Sequence, residues 1–392
     1  MTAAFAPDEL AAELIAREPA AAADPATIRV VRAPGRVNLI GEHTDYNAGL
    51  VLPAAIDREI RIASVPTDDG RVTLTRLDIG DTASFELGLE RPTTSTWIDY
   101  VAGTAWALAV AGLPTVGLRG VIGSTLPENA GLSSSAAIEL AAAWALLGDA
   151  ASGVDRLELA RICQRAENGY VGVQSGLMDQ FASSCGVAGT ALLLDCRSTE
   201  WRTVAIPDGL ALVVCNTGSP RRLGGSEYNI RRAQCDEAVA GIRRVDPSVR
   251  TLRDVTPELL AAARPDLDPV VARRAEHVIA ENARVLATLA AFEADDRAAI
   301  GPIFAAGHAS LRDLFEVSSP ELDALVEIAI AVPGVVAARM TGAGFGGCTV
   351  NLVEADAVPA LADAVLASYP GRTGLTPMVL PVTPVDGAGR LR

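Results

Sequence analysis

The sequence predicts an α+β fold, with strands gathered in the first half of the chain and helices in the second. Short apolar, β-patterned runs between Pro- and Gly-containing turns fill residues 28–77 and recur at 117–124. Segments with helical spacing dominate after about residue 200. At 392 residues the chain is long for one hydrophobic core and sufficient for two, and we expect a domain boundary within 198–208.

The elements follow in chain order from these patterns. Strands are predicted at residues 28–33, 37–40, 51–56, 58–65, 71–77, 117–124, 191–195, 203–206, 210–216, 335–340, 348–353 and 378–382. Helices are predicted at residues 7–18, 97–111, 136–147, 155–170, from about 176, 227–244, 270–292, 297–314, 321–331 and 355–368. A turn is expected at residues 33–35, where Pro and Gly interrupt the first β-patterned run.

Charge and composition exclude several function classes. The net charge is −15, and an anionic chain is repelled by nucleic acid and by an anionic membrane surface, so we expect neither partner. All 33 basic residues are arginines, which excludes a Walker-A lysine and a Schiff-base lysine. Six scattered cysteines, and an N-terminal stretch without the basic region of a signal peptide, favour a reduced, cytoplasmic protein.

A row of polar side chains directly follows a predicted strand that ends at Gly41. Glu42 and Asp45 can accept hydrogen bonds from hydroxyl groups, and His43 can donate or accept, so the set suits a polyol. Arg36, directly before the same predicted strand, offers a planar guanidinium for a carboxylate or phosphate. An exposed turn with a structural Arg–Asp pair explains the same residues, and the pattern alone leaves both interpretations open.

A loop with three serines, Ser133, Ser134 and Ser135, joins a predicted strand to a predicted helix. The free N–H groups at a helix N-terminus favour anions, and a serine hydroxyl can bind Mg²⁺. Ordinary helix capping by serine is the alternative. Because the chain has no lysine, a helix N-terminus is the natural place for a bound phosphate.

Two acids and a glycine-rich loop complete the candidates. Glu167 lies near the end of one predicted helix, and Asp179 lies in the first turn of the next. Asp179 could serve as a general base or merely stabilise the helix dipole. The four glycines within residues 342–347 let a backbone approach a ligand closely, or form a tight hairpin.

Together these segments resemble the GHMP small-molecule kinases, in particular their galactokinase branch. Residues 35–46 (GRVNLIGEHTDY) are similar to its sugar signature, 131–136 (GLSSSA) to the family's phosphate loop, and 341–347 (TGAGFGG) to its third motif. The resemblance implies an N-terminal domain like ribosomal protein S5 domain 2 over residues 1–200. It further implies a ferredoxin-like domain over 201–392, whose last strand can return to the first domain.

The resemblance implies an activity and residue roles. The activity is transfer of the γ-phosphate of ATP to the 1-hydroxyl of α-D-galactose, with Mg²⁺ as cofactor, Asp179 facing the hydroxyl and Arg36 stabilising the phosphoryl group. The sugar would contact Glu42, His43, Thr44, Asp45, Gly176 and Tyr228. ATP would contact Asn129, Ala130, Gly131, Leu132, Ser133, Ser134, Ser135, Trp97, Tyr100 and Gly344. The metal would be bound by Ser135 and Glu167.

Two other functions stay open. One is a related kinase for L-arabinose, galacturonate or N-acetylgalactosamine, and the other is a non-catalytic sensor of sugar and ATP. The sequence departs from the family at residues 127–130 (PENA), where relatives usually have more glycine and this chain has the acidic Glu128. It also departs at residues 221–223, where relatives more often have a histidine. We expect a cytoplasmic monomer that binds galactose and ATP.

Overall fold

The computed structural model describes residues 5–88, 93–127, 130–219 and 224–392, with the backbone alone for 224–226. The expected ATP contact Asn129, its neighbour Glu128 and residues 221–223 lie outside the described residues. The helices are α1 (Pro7–Arg17), α2 (Ile98–Val110), α3 (Ser134–Leu147), α4 (Arg156–Ala166), α5 (Met178–Cys185), α6 (Gly224–Ile242), α7 (Pro257–Ala263), α8 (Pro269–Glu293), α9 (Arg297–Ser310), α10 (Pro320–Ile330) and α11 (Val358–Thr373). The strands are β1 (Arg29–Asn38), β2 (Leu50–Val51), β3 (Pro53–Thr67), β4 (Arg71–Arg76), β5 (Asp81–Glu86), β6 (Gly117–Ser124), β7 (Thr190–Asp195), β8 (Trp201–Ala205), β9 (Leu210–Asn216), β10 (Val335–Thr341), β11 (Cys348–Glu354), β12 (Met378–Val382) and β13 (Gly389–Arg390).

The described strands form three sheets, and the α+β class is confirmed. A six-stranded sheet has the order β13-β1-β3-β6-β4-β5, a four-stranded sheet the order β10-β11-β9-β12, and a three-stranded sheet the order β2-β7-β8. Helix α3 packs on β1 and β3, and α2 and α4 pack beside it, so the largest apolar core lies between these helices and the first sheet. Helices α10 and α11 pack together beside the four-stranded sheet and bury a second apolar cluster there.

The first predicted turn is wrong, because β1 runs without a break through residues 33–35. The strand pairs antiparallel with β3, and the register shifts between Pro34 and Arg36, as at a β-bulge. Proline tolerates such a position because no ladder N–H is required of it there. A Cβ on Gly35 would lie 2.5 Å from the Leu132 carbonyl oxygen, so glycine lets the serine loop pack directly on the strand. Strand β3 is likewise one strand and not the two that the sequence predicts.

Other differences concern element ends and short polar elements. Helix α3 begins at Ser134, two residues earlier than expected, because periodicity does not locate a first turn. The helix expected at 155–170 is α-helical only to Ala166 and continues as a π-helical turn, Glu167–Val171. Strands β5 and β13 and helix α7 were not predicted. The predicted last strand, 378–382, is β12 and lies in the four-stranded sheet, so the strand that returns to the first sheet is the unpredicted β13. Among the described residues, no helix combines the length and the apolar character needed to span a bilayer.

The two halves of the chain meet at both ends of β1. Strand β13 pairs with β1 through Val31 and Arg390, so the last strand of the chain lies in the first sheet. At the other end, Asn38 N–H donates to the Thr341 hydroxyl (3.0 Å), which donates to the Asn38 carbonyl (2.9 Å). These contacts place the loop after β1 beside the glycine-rich loop after β10. The domain division near residue 200 stays a prediction.

Candidate active site

A cavity of about 380 Å³ lies between the loop after β1, the start of α5 and the glycine-rich loop after β10. We call it the central cavity. Ten residues singled out from the sequence line it, and they come from separate parts of the chain. They are Arg36, Glu42, His43, Asp45, Tyr100, Ser135, Glu167, Gly176, Asp179 and Tyr228.

A second cavity of about 220 Å³ adjoins the first, and we call it the adjoining cavity. Tyr100 and Ser135 line both cavities, while Trp97 and Ser134 line the adjoining one alone. The N-terminus of α3 therefore lies at the junction. Trp97 is oriented by a 2.7 Å hydrogen bond from its indole N–H to an Asp81 carboxylate oxygen.

The open cluster consists of Arg36, Ser133 and Asp179, at the wall of the central cavity. Arg36 Nε and Nη2 lie 2.8 and 2.7 Å from Asp179 Oδ1. The Ser133 hydroxyl donates to Asp179 Oδ2 at 2.5 Å, so both carboxylate oxygens are held. The Asp179 side chain is nevertheless 25% exposed, and its free side faces the cavity. The arrangement fixes the carboxylate while leaving it accessible to a ligand.

The serine loop divides into packing residues and residues that face a cavity. Ala130 and Leu132 are buried, and the Leu132 carbonyl accepts a hydrogen bond from the Arg36 N–H at 3.1 Å. Gly131 has a φ of +75°, and its carbonyl accepts a 2.8 Å hydrogen bond from Arg36 Nη1. The first N–H groups of α3 have no partner in the preceding turn and lie where an anion could be bound.

Glu167 begins the π-helical turn and lies beside Ser135. The Glu167 carboxylate accepts a 2.9 Å hydrogen bond from Gln180 Nε2 and further ones from the hydroxyls of Ser175 and Ser135. Burial raises the pKa of Glu167. Gln180 Nε2 also donates to Glu139 at 3.0 Å, and sequence reasoning gave neither residue a role, although Gln180 directly follows Asp179.

Ser135 and Glu167 fit a magnesium site by their chemistry, since both offer the hard oxygen atoms that Mg²⁺ prefers. Among the described residues, no group of three or more His, Cys, Asp or Glu residues is arranged to hold a metal by itself. A magnesium ion here would therefore need further oxygen ligands from phosphate groups and water, as is usual for Mg²⁺ bound with a nucleotide.

The sealed cluster consists of Glu42, Glu281 and Arg339. Glu42 lines the central cavity, and the other two side chains lie behind it. Arg339 Nη2 lies 2.6 Å from Glu42 Oε2 and 2.7 Å from Glu281 Oε1, and all three side chains are at most 1% exposed. Burial raises the pKa of Glu42 to about 7, against the opposing effect of Arg339. Burial also acts on Glu281, but the nearby arginines outweigh it and lower its pKa. The only sequence signal for Arg339 was a charge within an otherwise apolar strand.

Asp45 and Gly176 are in close contact. Burial, and then the nearby Asp179, raise the pKa of Asp45 to about 6. A Cβ on Gly176 would lie 1.9 Å from Asp45 Oδ2, so no other residue fits here without moving the carboxylate. Gly176 therefore supports the position of Asp45.

His43 has both ring nitrogens engaged within the protein. Its Nδ1 lies 2.8 Å from the Tyr46 hydroxyl and its Nε2 lies 3.2 Å from the Ala343 carbonyl. Burial lowers the pKa of His43 to about 3, so the ring is neutral. A carbonyl only accepts, so Nε2 carries the proton and Nδ1 accepts from Tyr46. The ring forms part of the cavity wall, and the Tyr228 ring lies 5.6 Å from it.

Apart from Ala130, Gly131, Leu132 and Ser133 of the serine loop, which line neither cavity, two more expected contact residues lie away from both. The Thr44 hydroxyl is buried and lies 2.7 and 2.6 Å from the carbonyl oxygens of Gly41 and Leu50, so it stabilises the turn. Gly344 packs against Val317, and its neighbours Gly342 and Ala343 line the central cavity instead. Motif membership alone did not distinguish these residues from those that face a ligand.

Comparisons with known proteins identify the family of the chain. The model of the "galactokinase galactose-binding signature" matches residues 21–66, that of the "GHMP kinases N terminal domain" residues 99–187, and that of "GHMP kinases C terminal" residues 288–371. A galactokinase of Roseiflexus sp. is 43% identical over 362 residues, which cover 92% of this chain and 93% of the relative. A galactokinase of Chloroflexus aggregans is 44% identical over 370 residues and 92% of each chain. The crystal structure of Lactococcus lactis galactokinase complexed with galactose superimposes with a TM-score of 0.90 and 35% identity, covering 95% of this chain and 98% of that one.

Proposed function

Because the chain belongs to the galactokinase family of GHMP kinases, we infer that it transfers the γ-phosphate of ATP to the 1-hydroxyl of α-D-galactose. The observation that carries this inference is the open cluster. A carboxylate held on both oxygens, accessible to a cavity and paired with an arginine is suited to accept a proton next to a transferring phosphoryl group.

The central cavity is the proposed galactose site. Asp45 and Tyr228 present a carboxylate and a hydroxyl to it, and such groups hydrogen-bond sugar hydroxyls. Glu42 and His43 also line it, but their polar atoms are largely engaged by the protein, so we assign them mainly to shaping the wall. The galactose named with the L. lactis structure supports this assignment.

The adjoining cavity is the proposed site of the nucleoside part of ATP. Its residues Trp97 and Tyr100 are aromatic, and the N-terminus of α3 separates it from the central cavity. The phosphates would lie against the first N–H groups of α3, which suits a chain that has no lysine. The γ-phosphate would then reach the junction that Ser135 and Tyr100 share.

Ser135 and Glu167 are the proposed protein ligands of Mg²⁺. When bound with ATP, the ion would neutralise negative charge on the phosphate oxygens. The hydrogen bonds from Gln180 and Ser175 hold the Glu167 carboxylate in place for this role.

Asp179 is the proposed general base. It orients the sugar hydroxyl and takes its proton as the bond from that oxygen to phosphorus forms and the bond from phosphorus to ADP breaks. Arg36 stabilises the charge on the transferring group, and its ion pair with Asp179 maintains the position of the base. Most of the expected rate acceleration comes from positioning and charge, because phosphoryl transfer has a loose transition state.

The cytoplasm is the proposed compartment. Cys163 and Cys215 are among several deeply buried thiols, which suit a reducing environment. A monomer stays the proposed oligomeric state, as expected from the sequence.

A substrate panel tests the function. Purified protein with ATP and Mg²⁺ is assayed for ADP release with galactose, L-arabinose, galacturonate, N-acetylgalactosamine or no sugar. We expect galactose to give the highest kcat/KM. A higher value for another sugar would assign a related kinase, and binding of sugar and ATP without sugar-dependent ADP release would assign a sensor.

A further inference from the structure

A third cavity, of about 420 Å³, lies on the far side of Asp45 and Gly176 from the central cavity. Arg161, Arg165 and Arg232 line it, and we call it the arginine pocket. The proposed sugar and ATP sites use none of these three side chains. The pocket therefore needs an explanation of its own.

Two arginines of this pocket, Arg161 and Arg232, donate hydrogen bonds to neutral oxygens. Arg161 Nη2 donates to the Thr199 hydroxyl at 2.8 Å, and Arg232 Nη1 donates to the Gln174 carbonyl at 2.7 Å. The carboxylate that pairs with Arg161 is that of Glu158, at 3.4 Å, and it is 48% exposed at the rim. Neutral acceptors position a guanidinium without cancelling its charge. Asp45 also lines the pocket, but together with Glu158 it offsets at most two of the three arginine charges, so the pocket keeps a positive potential.

Arg165 strengthens this potential. It makes no hydrogen bond or ion pair within the part of the chain that the structure describes, and it follows Arg161 by one turn of α4. Like charges at this spacing repel each other on a helix. In a chain with a net charge of −15, three arginines around one cavity are suited to an anionic ligand that would remove this repulsion.

The remaining polar groups of the pocket indicate the size and class of the ligand. Gln164 and Asn168 also line the pocket, and each side-chain amide donates one hydrogen bond to the Ser175 carbonyl, at 3.3 and 3.2 Å, which leaves its second N–H for a ligand. Guanidinium groups match phosphate oxygens in geometry, and amides bind hydroxyl groups. The volume leaves space for more than a phosphate ion.

We propose that the arginine pocket binds a small phosphate-bearing anion, at a site separate from the open cluster. Inorganic phosphate and a hexose 1-phosphate share the group that the arginines recognise. The binding needs no turnover and no residue assigned to catalysis, although Asp45 and Gly176 line both this pocket and the proposed sugar site.

Calorimetric titration with each anion, at constant ionic strength, tests the proposal. The double variant Arg161→Gln/Arg165→Gln removes two charges from the pocket. Arg119→Gln/Arg312→Gln is the matched control, because these arginines are 46% and 45% exposed, lie outside the pocket and also remove two charges. Thermal unfolding of both variants verifies that they fold.

We expect inorganic phosphate to bind at least about tenfold more weakly to the pocket variant, and within about twofold of wild type to the control. Arg36→Ala should keep the phosphate binding. Galactose 1-phosphate should bind at two sites in wild type and at one in the pocket variant, and tighter binding than that of phosphate would assign the sugar phosphate as the ligand. Unchanged binding by the pocket variant, an equal loss in the control, or loss of phosphate binding in Arg36→Ala would each overturn the proposal.

Discussion

The open cluster and the sealed cluster are two arginine–carboxylate groups at the wall of the same cavity, and they differ in how far their carboxylates are exposed. Asp179 is paired with Arg36 and is 25% exposed. Glu42 shares Arg339 with Glu281, and none of these side chains is more than 1% exposed. A carboxylate that exchanges a proton with a ligand needs one open side. A buried carboxylate that supports the wall needs a cation as its partner, because an unpaired buried charge destabilises the folded protein.

Asp179→Asn changes the carboxylate of the open cluster and should have the largest effect of the proposed variants. The amide keeps the size of the carboxylate but takes up no proton at neutral pH, so kcat should fall at least about a hundredfold. Steady-state ADP release measures the loss. Asp313→Asn is the control, because Asp313 is an exposed acid paired with Arg312. Turnover close to wild type in folded Asp179→Asn would exclude the base role.

Arg339→Met removes the arginine of the sealed cluster and should lower the stability of the protein. It leaves Glu42 buried without a cation and Glu281 with Arg284 alone, at 2.6 Å, and the free energy of unfolding should fall by about 3–5 kcal/mol. Urea denaturation measures the change. The matched variant Arg36→Met should lose less than half as much, because Asp179 is partly solvated. Equal losses in the two variants would contradict the distinction between the clusters.

Gly176→Ala should displace Asp45, a carboxylate that lines the cavity near Asp179. We expect KM for galactose to rise about tenfold or more with a smaller change in kcat, because the added methyl group moves a sugar contact and not the base. Gly371→Ala is the matched control, since nothing lies within 4 Å of a Cβ at that position. Steady-state kinetics at saturating ATP separates KM from kcat, and an unchanged KM would remove Asp45 from the sugar site.

The pH dependence of sugar binding should give the smallest effect. Because the pKa of Asp45 is raised to about 6, the carboxylate dominates above pH 6 and the neutral form below it. Loss of this acceptor should raise KM for galactose by up to about tenfold between pH 7 and pH 5. Asp45→Asn should flatten this profile. Glu42→Gln should keep it, although the pKa of Glu42 is raised to about 7. A flat wild-type profile would contradict the prediction.

The fold could be predicted wherever the apolar pattern of a strand or helix is visible within its own residues. Strands β6, β9 and β12 have the predicted bounds because apolar runs there end at turn residues. Strand β1 was misread because Pro34 and Gly35 form a turn in most chains, whereas here the partner strand and the serine loop hold them in the sheet. Such contacts are long-range, and local propensity does not contain them.

The residues of the candidate site could be predicted where they belong to contiguous sequence motifs. The segment 35–46, the serines of 133–135 and Asp179 could be selected by their chemistry and by the family resemblance. Arg339 and Glu281 could not, because each stands alone in an otherwise ordinary strand or helix. Gln180 adjoins Asp179, but its contact with Glu167 depends on the tertiary structure. The same motifs also included Thr44 and Gly344, whose contacts are internal.

The amino-acid sequence by itself determined the fold class, the family and the inventory of groups available for phosphate binding, because charge, lysine content and motif order are properties of the chain alone. Only the tertiary structure decided which carboxylate is open and which is sealed. Access and pairing depend on neighbours that lie hundreds of residues away in the chain, as Arg339 does from Glu42, and burial then sets the electrostatic cost of each charge.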